Sequence, residues 1–219
     1  MTSHEARVRA LVSSGQITES EGTRLVDALR QETAGWKILF NPFDRLSTGA
    51  IWSVAIVTCA ASLAMSRLGI RFDGALDLHP TGAAPRWSMS LLDQMNAVAL
   101  TAAVAWLVSL LVAKRGRFVD FVMTIGAARV PLIFIALVTH WLLPSAAEMR
   151  AMVLSGSRPG PAVVLASVLT LPFFFWFLAL LYRAFVVSSG LKGLRAGLSF
   201  ATAMVAAEVL SKVALVLIG

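Results

Sequence analysis

Cysteine, tyrosine, histidine and charge are all scarce in this chain. Of its 219 residues, one is cysteine, one is tyrosine, three are histidine and 14% are charged. The single Cys59 excludes an intrachain disulfide and a cysteine-based zinc site. His4, His79 and His140 stand far apart, with no HExxH spacing, so the sequence offers no metal site of a known pattern. Asp73, Asp77 and His79 share one loop, but three such ligands among glycine and proline read first as solvated groups. There is no Walker A loop and no GxSxG elbow. Gly197-Leu198-Ser199-Phe200 matches a bare GxSx serine pattern. However, Ser199 falls near the start of the last apolar run and His140 near the far end of the third. A serine nucleophile needs its base within hydrogen-bond reach, so this pair fails. The expectation is no enzyme and no cofactor.

What the chain has in quantity is apolar sequence. Hydrophobic residues make up 58% and the mean hydropathy is +0.78, far above a soluble domain. The partner this predicts is the lipid bilayer. The formal charge of +7 reads as membrane topology and contact with anionic lipid. No basic cluster is interleaved with aromatics on a polar domain, so nucleic acid is not a predicted partner.

Residues 1–34 are the polar part. Val8, Leu11 and Val12 share one helical face, and Gly15 suits a left-handed cap. Thr18-Glu19-Ser20-Glu21 has capping-box spacing and opens a second helix with Leu25, Val26 and Leu29 apolar. The pair predicts a helical hairpin, with Val8, Leu11, Val12, Leu25 and Leu29 as a candidate partner-docking surface. A solvated hairpin without a partner is the alternative. Residues 35–48 carry Trp36, Ile38, Leu39, Phe40 and Phe43 between charges, which predicts an interfacial segment broken at Pro42. Beyond it, residues 49–219 read as five spans, at about 50–68, 89–113, 118–143, 161–187 and 196–218. Small residues Ala55, Cys59, Ala60 and Ala64 in the first span, and Gly190, Gly193, Gly197 and Ala201 around the start of the fifth, predict close helix approach. Residues 69–88 and 144–160 read as polar loops.

The third span holds the anomaly. After Lys114, Arg115 and Arg117 it runs apolar, yet Arg129 stands eleven residues past Phe118. At ~1.5 Å per residue that is roughly 16 Å deep, near the middle of a bilayer core about 30 Å thick. A charge there costs at least ~2.5 kcal/mol. Glu208 and Lys212 share a face of the fifth span at i, i+4 spacing, and Asp93 and Asn96 sit early in the second. With Asp120 these residues form a candidate buried polar network, in which Glu208 or Asp120 is the expected counter-ion of Arg129. Pro131 and Pro172 are candidate mid-span kinks.

The fold class predicted is all-α: an integral membrane bundle of five transmembrane helices with a small N-terminal cytoplasmic helical hairpin. Sorting Lys and Arg by side gives twelve with the N-terminus against five opposite, which places the N-terminus in the cytoplasm and the C-terminus across the membrane.

Two resemblances add to this reading. The segment SSGQITESEGTRLVDAL resembles the short helical SHOCT modules at the termini of bacterial membrane proteins. Residues 41–218 are similar to the bacterial branch of the Yip (Ypt-interacting protein) family. The residues that carry the likeness are Asn41-Pro42-Phe43 before the first span, the basic turn with Gly116 and Phe118, Pro131 in the third span, and the Gly190-Leu191 turn. Arg129 departs from the pattern, where a small or apolar residue is expected. The Yip resemblance implies a five-span protein of a bacterial cytoplasmic membrane without enzymatic activity, acting as an adaptor or accessory subunit of another membrane protein. The alternative from the residues is a small-solute or ion permease or channel, working as a homo-oligomer through Arg129, Glu208 and Lys212.

Overall fold

The computed structural model describes residues 3–32, 36–81 and 83–218. The chain forms two compact units, one within residues 1–45 and one within residues 46–219.

In the first unit, α1 (Ser3–Ser13) and α2 (Glu19–Glu32) pack as a hairpin, followed by the short α3 (Trp36–Phe40). Gly15 has φ +70° and donates to the Val12 carbonyl, ending α1. Thr18 and Glu21 close the capping box: the Thr18 amide donates to Glu21 Oε2 at 2.9 Å, and the Glu21 amide to Thr18 Oγ1 at 3.3 Å. Gly22 lies against Val12 so closely that a Cβ there would collide with that side chain. Val8 is buried in the contact, Val12 is half-buried, and Leu11 and Leu25 are exposed at 38% and 45%. The side chain of Leu29 lies outside the described residues.

The second unit is an all-α bundle. Five helical stretches are long and apolar enough to cross a membrane: Thr48–Ser66, Trp87–Ala113, Phe118–Leu142, Pro161–Ser189 and Gly193–Leu217. The first is α4 (Thr48–Ser66). The second comprises α5 (Trp87–Gln94), a π-helical turn (Met95–Leu100) and α6 (Thr101–Ala113). The third is α7 (Phe118–Ala128) and α8 (Val130–Leu142). Next come α9 (Ala146–Ser155) outside the spans, then α10 (Pro161–Ser189) and α11 (Gly193–Ile218). In its most apolar stretch the third span is 67% buried, against 17–39% for the other four, so it is the axis around which they pack.

Small residues let the helices approach, among them the predicted Ala55 and Gly190, while several others that were predicted lie off the packed faces. The buried face of α4 is Ile51, Ala55, Thr58, Ser62 and Ser66, while Ala60 and Ala64 are exposed. Its hydroxyls bond within the helix, Thr58 to the Val54 carbonyl and Ser62 to the Thr58 carbonyl, so they enter an apolar contact already satisfied. Opposite Ala55 lies Gly126 of α7, where a Cβ would sit 3.1 Å from the Ala55 Cβ. In α11 the packed face is Ala196, Ala203 and Ala207, all fully buried, with Ser199 and Ser211. Gly193 and Gly197 face open space and Ala201 is exposed, because the helical period carries them to the lipid side.

The 114–117 and 190–192 turns meet at one end of the bundle. Arg115 donates to the carbonyls of Ser189 (3.3 Å) and Gly190 (2.8 Å), and Trp106 Nε1 donates to the Gly116 carbonyl at 3.1 Å. Gly190 (φ +66°) and Gly116 (φ +107°) need their backbone freedom here: a Cβ on Gly190 would fall 2.7 Å from Arg115 Nη2, and one on Gly116 3.1 Å from the Ser188 carbonyl. Pro131 sits in the first turn of α8, just after the third span breaks, whereas Pro172 lies inside an uninterrupted α10. The second polar loop contains α9, opened by a Ser145–Glu148 capping box that its Ser-x-x-Glu spacing would have announced.

Candidate functional site

The segment between the first two spans is not a solvated loop. It begins at Gly69 (φ +76°) and forms a two-residue antiparallel pair, β1 (Ile70–Arg71) with β2 (His79–Pro80), closed by Thr81 donating to the Gly69 carbonyl. The tip of this hairpin is buried: Phe72, Asp73, Gly74 and Ala75 are all inaccessible, as is Ile70. It turns back into the bundle as far as Arg129, in the middle of the third span. Irregular backbone at that depth is tolerated only where protein satisfies its polar groups, and here named side chains do so.

Arg129 supplies the deepest tie. It is the junction residue between α7 and α8 (φ −80°, ψ 0°), where Pro131 interrupts the helical ladder. Only 1% exposed, its Nη1 donates to the carbonyls of Ala75 (3.1 Å), Ala97 (3.3 Å) and Gly74 (3.4 Å). Ala97 lies in the π-helical turn, whose widened backbone offers a carbonyl sideways. Asn96, in the same turn, donates to the Asp73 carbonyl at 2.7 Å and the Ser211 carbonyl at 3.3 Å, linking tip, second span and α11. Glu208 accepts from the Leu76 amide at 3.0 Å. A Cβ on Gly74 would lie 3.3 Å from both Glu208 carboxylate oxygens, so glycine is what lets Glu208 come this close.

Ion pairs close the outer layer. Arg71 grips Asp93 with two bonds, at 2.8 and 2.6 Å, and Asp93 is itself buried. Lys212 binds Asp77 at 2.5 Å and lies 3.5 Å from Glu208. His79 Nδ1 stands 3.4 Å from Asp73 Oδ1, close enough to pair by charge but not aligned as a hydrogen bond, and that oxygen is buried without a hydrogen-bond partner among the described residues. Neighbouring Asp73 raises the His79 pKa above the ordinary histidine value, against the effect of burial. Burial pushes the Asp73 carboxyl up, but His79, Lys212 and Arg71 outweigh it and leave it below its ordinary value. The ligand atoms of Asp73, Asp77 and His79 lie within 4.8 Å of one another. Beside them a cavity of about 100 Å³ is lined by Arg71, Asp73, Asp93 and Asn96.

Five of the predicted polar residues, Arg129, Glu208, Lys212, Asp93 and Asn96, therefore meet around one loop. Asp120 does not join them. It pairs with Arg117 at 3.0 Å in the first turn of α7, at the end of the bundle where the two turns meet. Neither Asp120 nor Glu208 forms an ion pair with Arg129 among the described residues. The expected counter-ion is replaced by three backbone carbonyls, because the loop tip reaches the guanidinium before any carboxylate does. Arg129 Nε and Nη2 are buried and hydrogen-bond to nothing among the described residues. What sequence reasoning missed is the loop itself, with Arg71, Asp73, Asp77 and the carbonyls of Gly74 and Ala75. Its signal was the period-two run Ile70, Phe72, Gly74, Leu76, Leu78, which reads as a half-buried extended segment. Comparisons with protein-family models, with curated proteins and with solved structures find no match to this chain.

Proposed function

We propose that the chain is a non-enzymatic integral membrane adaptor or accessory subunit of the Yip type, seated in a bacterial cytoplasmic membrane with its N-terminus in the cytoplasm. One observation carries this reading. The intramembrane charges close on each other and on the re-entrant loop, through Arg71–Asp93, Lys212–Asp77 and Arg129 with its three carbonyls. Charges used in this way fix helix packing, which is what a scaffold requires, whereas transport requires them to face a hydrated path. The N-terminal hairpin adds support, since it forms a unit of its own and keeps Leu11 and Leu25 exposed. The test is affinity capture from native membranes in mild detergent, comparing the full chain with one lacking residues 1–33. A stoichiometric membrane protein that is recovered with the first and lost from the second, while the shortened chain stays monodisperse, supports the adaptor. Recovery of the chain alone, as a discrete oligomer, overturns it.

A permease is the second reading, favoured by the unpartnered Nε and Nη2 of Arg129. It predicts solute or ion flux in liposomes that Arg129→Leu and Glu208→Gln abolish.

A further inference from the structure

We infer that Asp73, Asp77 and His79 form a binding site for one divalent first-row transition-metal ion, of the class Mn²⁺, Fe²⁺, Co²⁺ or Zn²⁺. The first argument is the Asp73 carboxylate. It is 3% exposed, and among the described residues its Oδ1 accepts no hydrogen bond and has only the His79 ion pair. A buried carboxylate oxygen left in that state is costly unless a cation completes it. His79 Nδ1 stands 3.4 Å away, in ion-pair range but not aligned for a hydrogen bond. That separation is instead the edge of a coordination tetrahedron: two ligands each ~2.1 Å from a metal, at the tetrahedral angle, stand about 3.4 Å apart. An oxygen of Asp77 lies within 4.8 Å of both, so a small inward movement of the half-buried Asp77 side chain brings all three onto one ion.

The surroundings meet the other requirements of such a site. The ligands sit on a hairpin held from several sides, by Arg129 and Asn96 at the tip and by Glu208 at the Leu76 amide. The β1–β2 register sets Arg71 opposite His79, so the imidazole is positioned before any ion arrives. The cavity of about 100 Å³ beside Asp73 has room for water on that ligand's side. His79 is 43% exposed at its side chain and provides the access path. Lys212 binds Asp77 through Oδ2 alone, so the carboxylate keeps a second oxygen. Two carboxylate oxygens and one imidazole nitrogen form a borderline donor set, which favours the transition ions over Mg²⁺ and Ca²⁺. The bland alternative is a protonated His79 resting against Asp73 with no ion at all.

The experiment uses the full-length chain in detergent, freed of any polyhistidine tag and stripped with a chelator. It is titrated with Co²⁺ while the visible d–d absorption is followed, and with Mn²⁺ and Zn²⁺ by calorimetry. The expected result is one saturable site per chain. Asp77→Asn and His79→Gln, both at half-buried positions, should each weaken it by about tenfold or more. Asp120→Asn, at the other end of the bundle, should leave it unchanged. Each variant is first shown to elute as the unaltered chain does. The proposal is overturned if the unaltered chain shows no saturable site. It is also overturned if Asp77→Asn and His79→Gln both bind as well as the unaltered chain, or if millimolar Mg²⁺ displaces Co²⁺ as effectively as Zn²⁺ does.

Discussion

Replacing Arg129 with methionine should undock the re-entrant loop without unfolding the bundle. The side chain donates three hydrogen bonds to carbonyls, one at 3.1 Å and two longer, at 3.3 and 3.4 Å. A hydrogen bond from a charged group contributes about 1.5–3 kcal/mol. Counting the two long ones at half, the tie contributes about 3–6 kcal/mol to loop docking. Against this stands the cost of burying the guanidinium, about 2.5–3.5 kcal/mol on insertion scales, which methionine removes. The difference leaves docking weaker by about 0.5–2.5 kcal/mol, or roughly twofold to sixtyfold in the population of the open loop. Hydrogen exchange followed by mass spectrometry in detergent reads this directly. The amides of Leu76 and Thr81, bonded to Glu208 and to the Gly69 carbonyl, should lose about half a decade to two decades of protection. Those in the core of α7 and α10 should keep theirs. Unchanged protection at Leu76 and Thr81 would refute the reasoning. So would rescue of a destabilised Glu208→Leu chain by Arg129→Met, because rescue is the mark of an ion pair that the geometry does not contain.

Two further substitutions test the packing. Gly126→Leu places a branched side chain where even a Cβ stands 3.1 Å from Ala55, so α4 and α7 must part; the thermal midpoint in detergent should fall by the equivalent of about 1–3 kcal/mol or more. An unchanged midpoint would mean that α4 does not pack there. Gly190→Ala forces φ +66° on an alanine, at about 1–2 kcal/mol, and sets its Cβ 2.7 Å from Arg115 Nη2. It should destabilise the chain, whereas Gly197→Ala, with nothing within 4 Å, should not. Equal effects from the two would remove the argument for a glycine-dependent turn.

The five spans were legible because their signal is additive. Some twenty apolar residues in a row outweigh any local ambiguity, so the all-α membrane bundle follows from hydropathy alone. The packed faces were not, since choosing Ala203 over Gly197, or Ser62 over Ala60, depends on which side of a uniformly apolar helix meets protein rather than lipid. Composition is silent on that. Pro131 announced a break near Arg129, but nothing in the sequence announced the π-helical turn at Met95–Leu100. The 69–88 loop was misread for a specific reason. Its charges, Arg71, Asp73, Asp77 and His79, are those of a solvated loop when read singly. They become residues of a buried one only when Asp93, Asn96, Glu208, Lys212 and Arg129 are seen to meet them. Each of those partners lies more than ten residues away in the chain.

Charge balance limits what this loop can hold. Arg71, Arg129 and Lys212 bring three positive charges, and Asp73, Asp77, Asp93 and Glu208 bring four negative ones. With His79 neutral the cluster carries one excess negative charge (three minus four), in surroundings where an uncompensated charge is expensive. Two agents can cancel it locally, a proton on His79 or a metal ion between His79 and Asp73, and they exclude each other because both need Nδ1. A proton brings the cluster to neutrality and leaves the Asp73–His79 pair at charge contact. A divalent ion carries it to one excess positive charge, which Lys212 can relieve by swinging from Asp77 toward solvent, since its side chain is already 44% exposed. The same ion would then cross-link both ends of the hairpin and tighten the loop on α11. In either state the loop is fastened rather than open, and this favours a structural use of these charges over a conducting one.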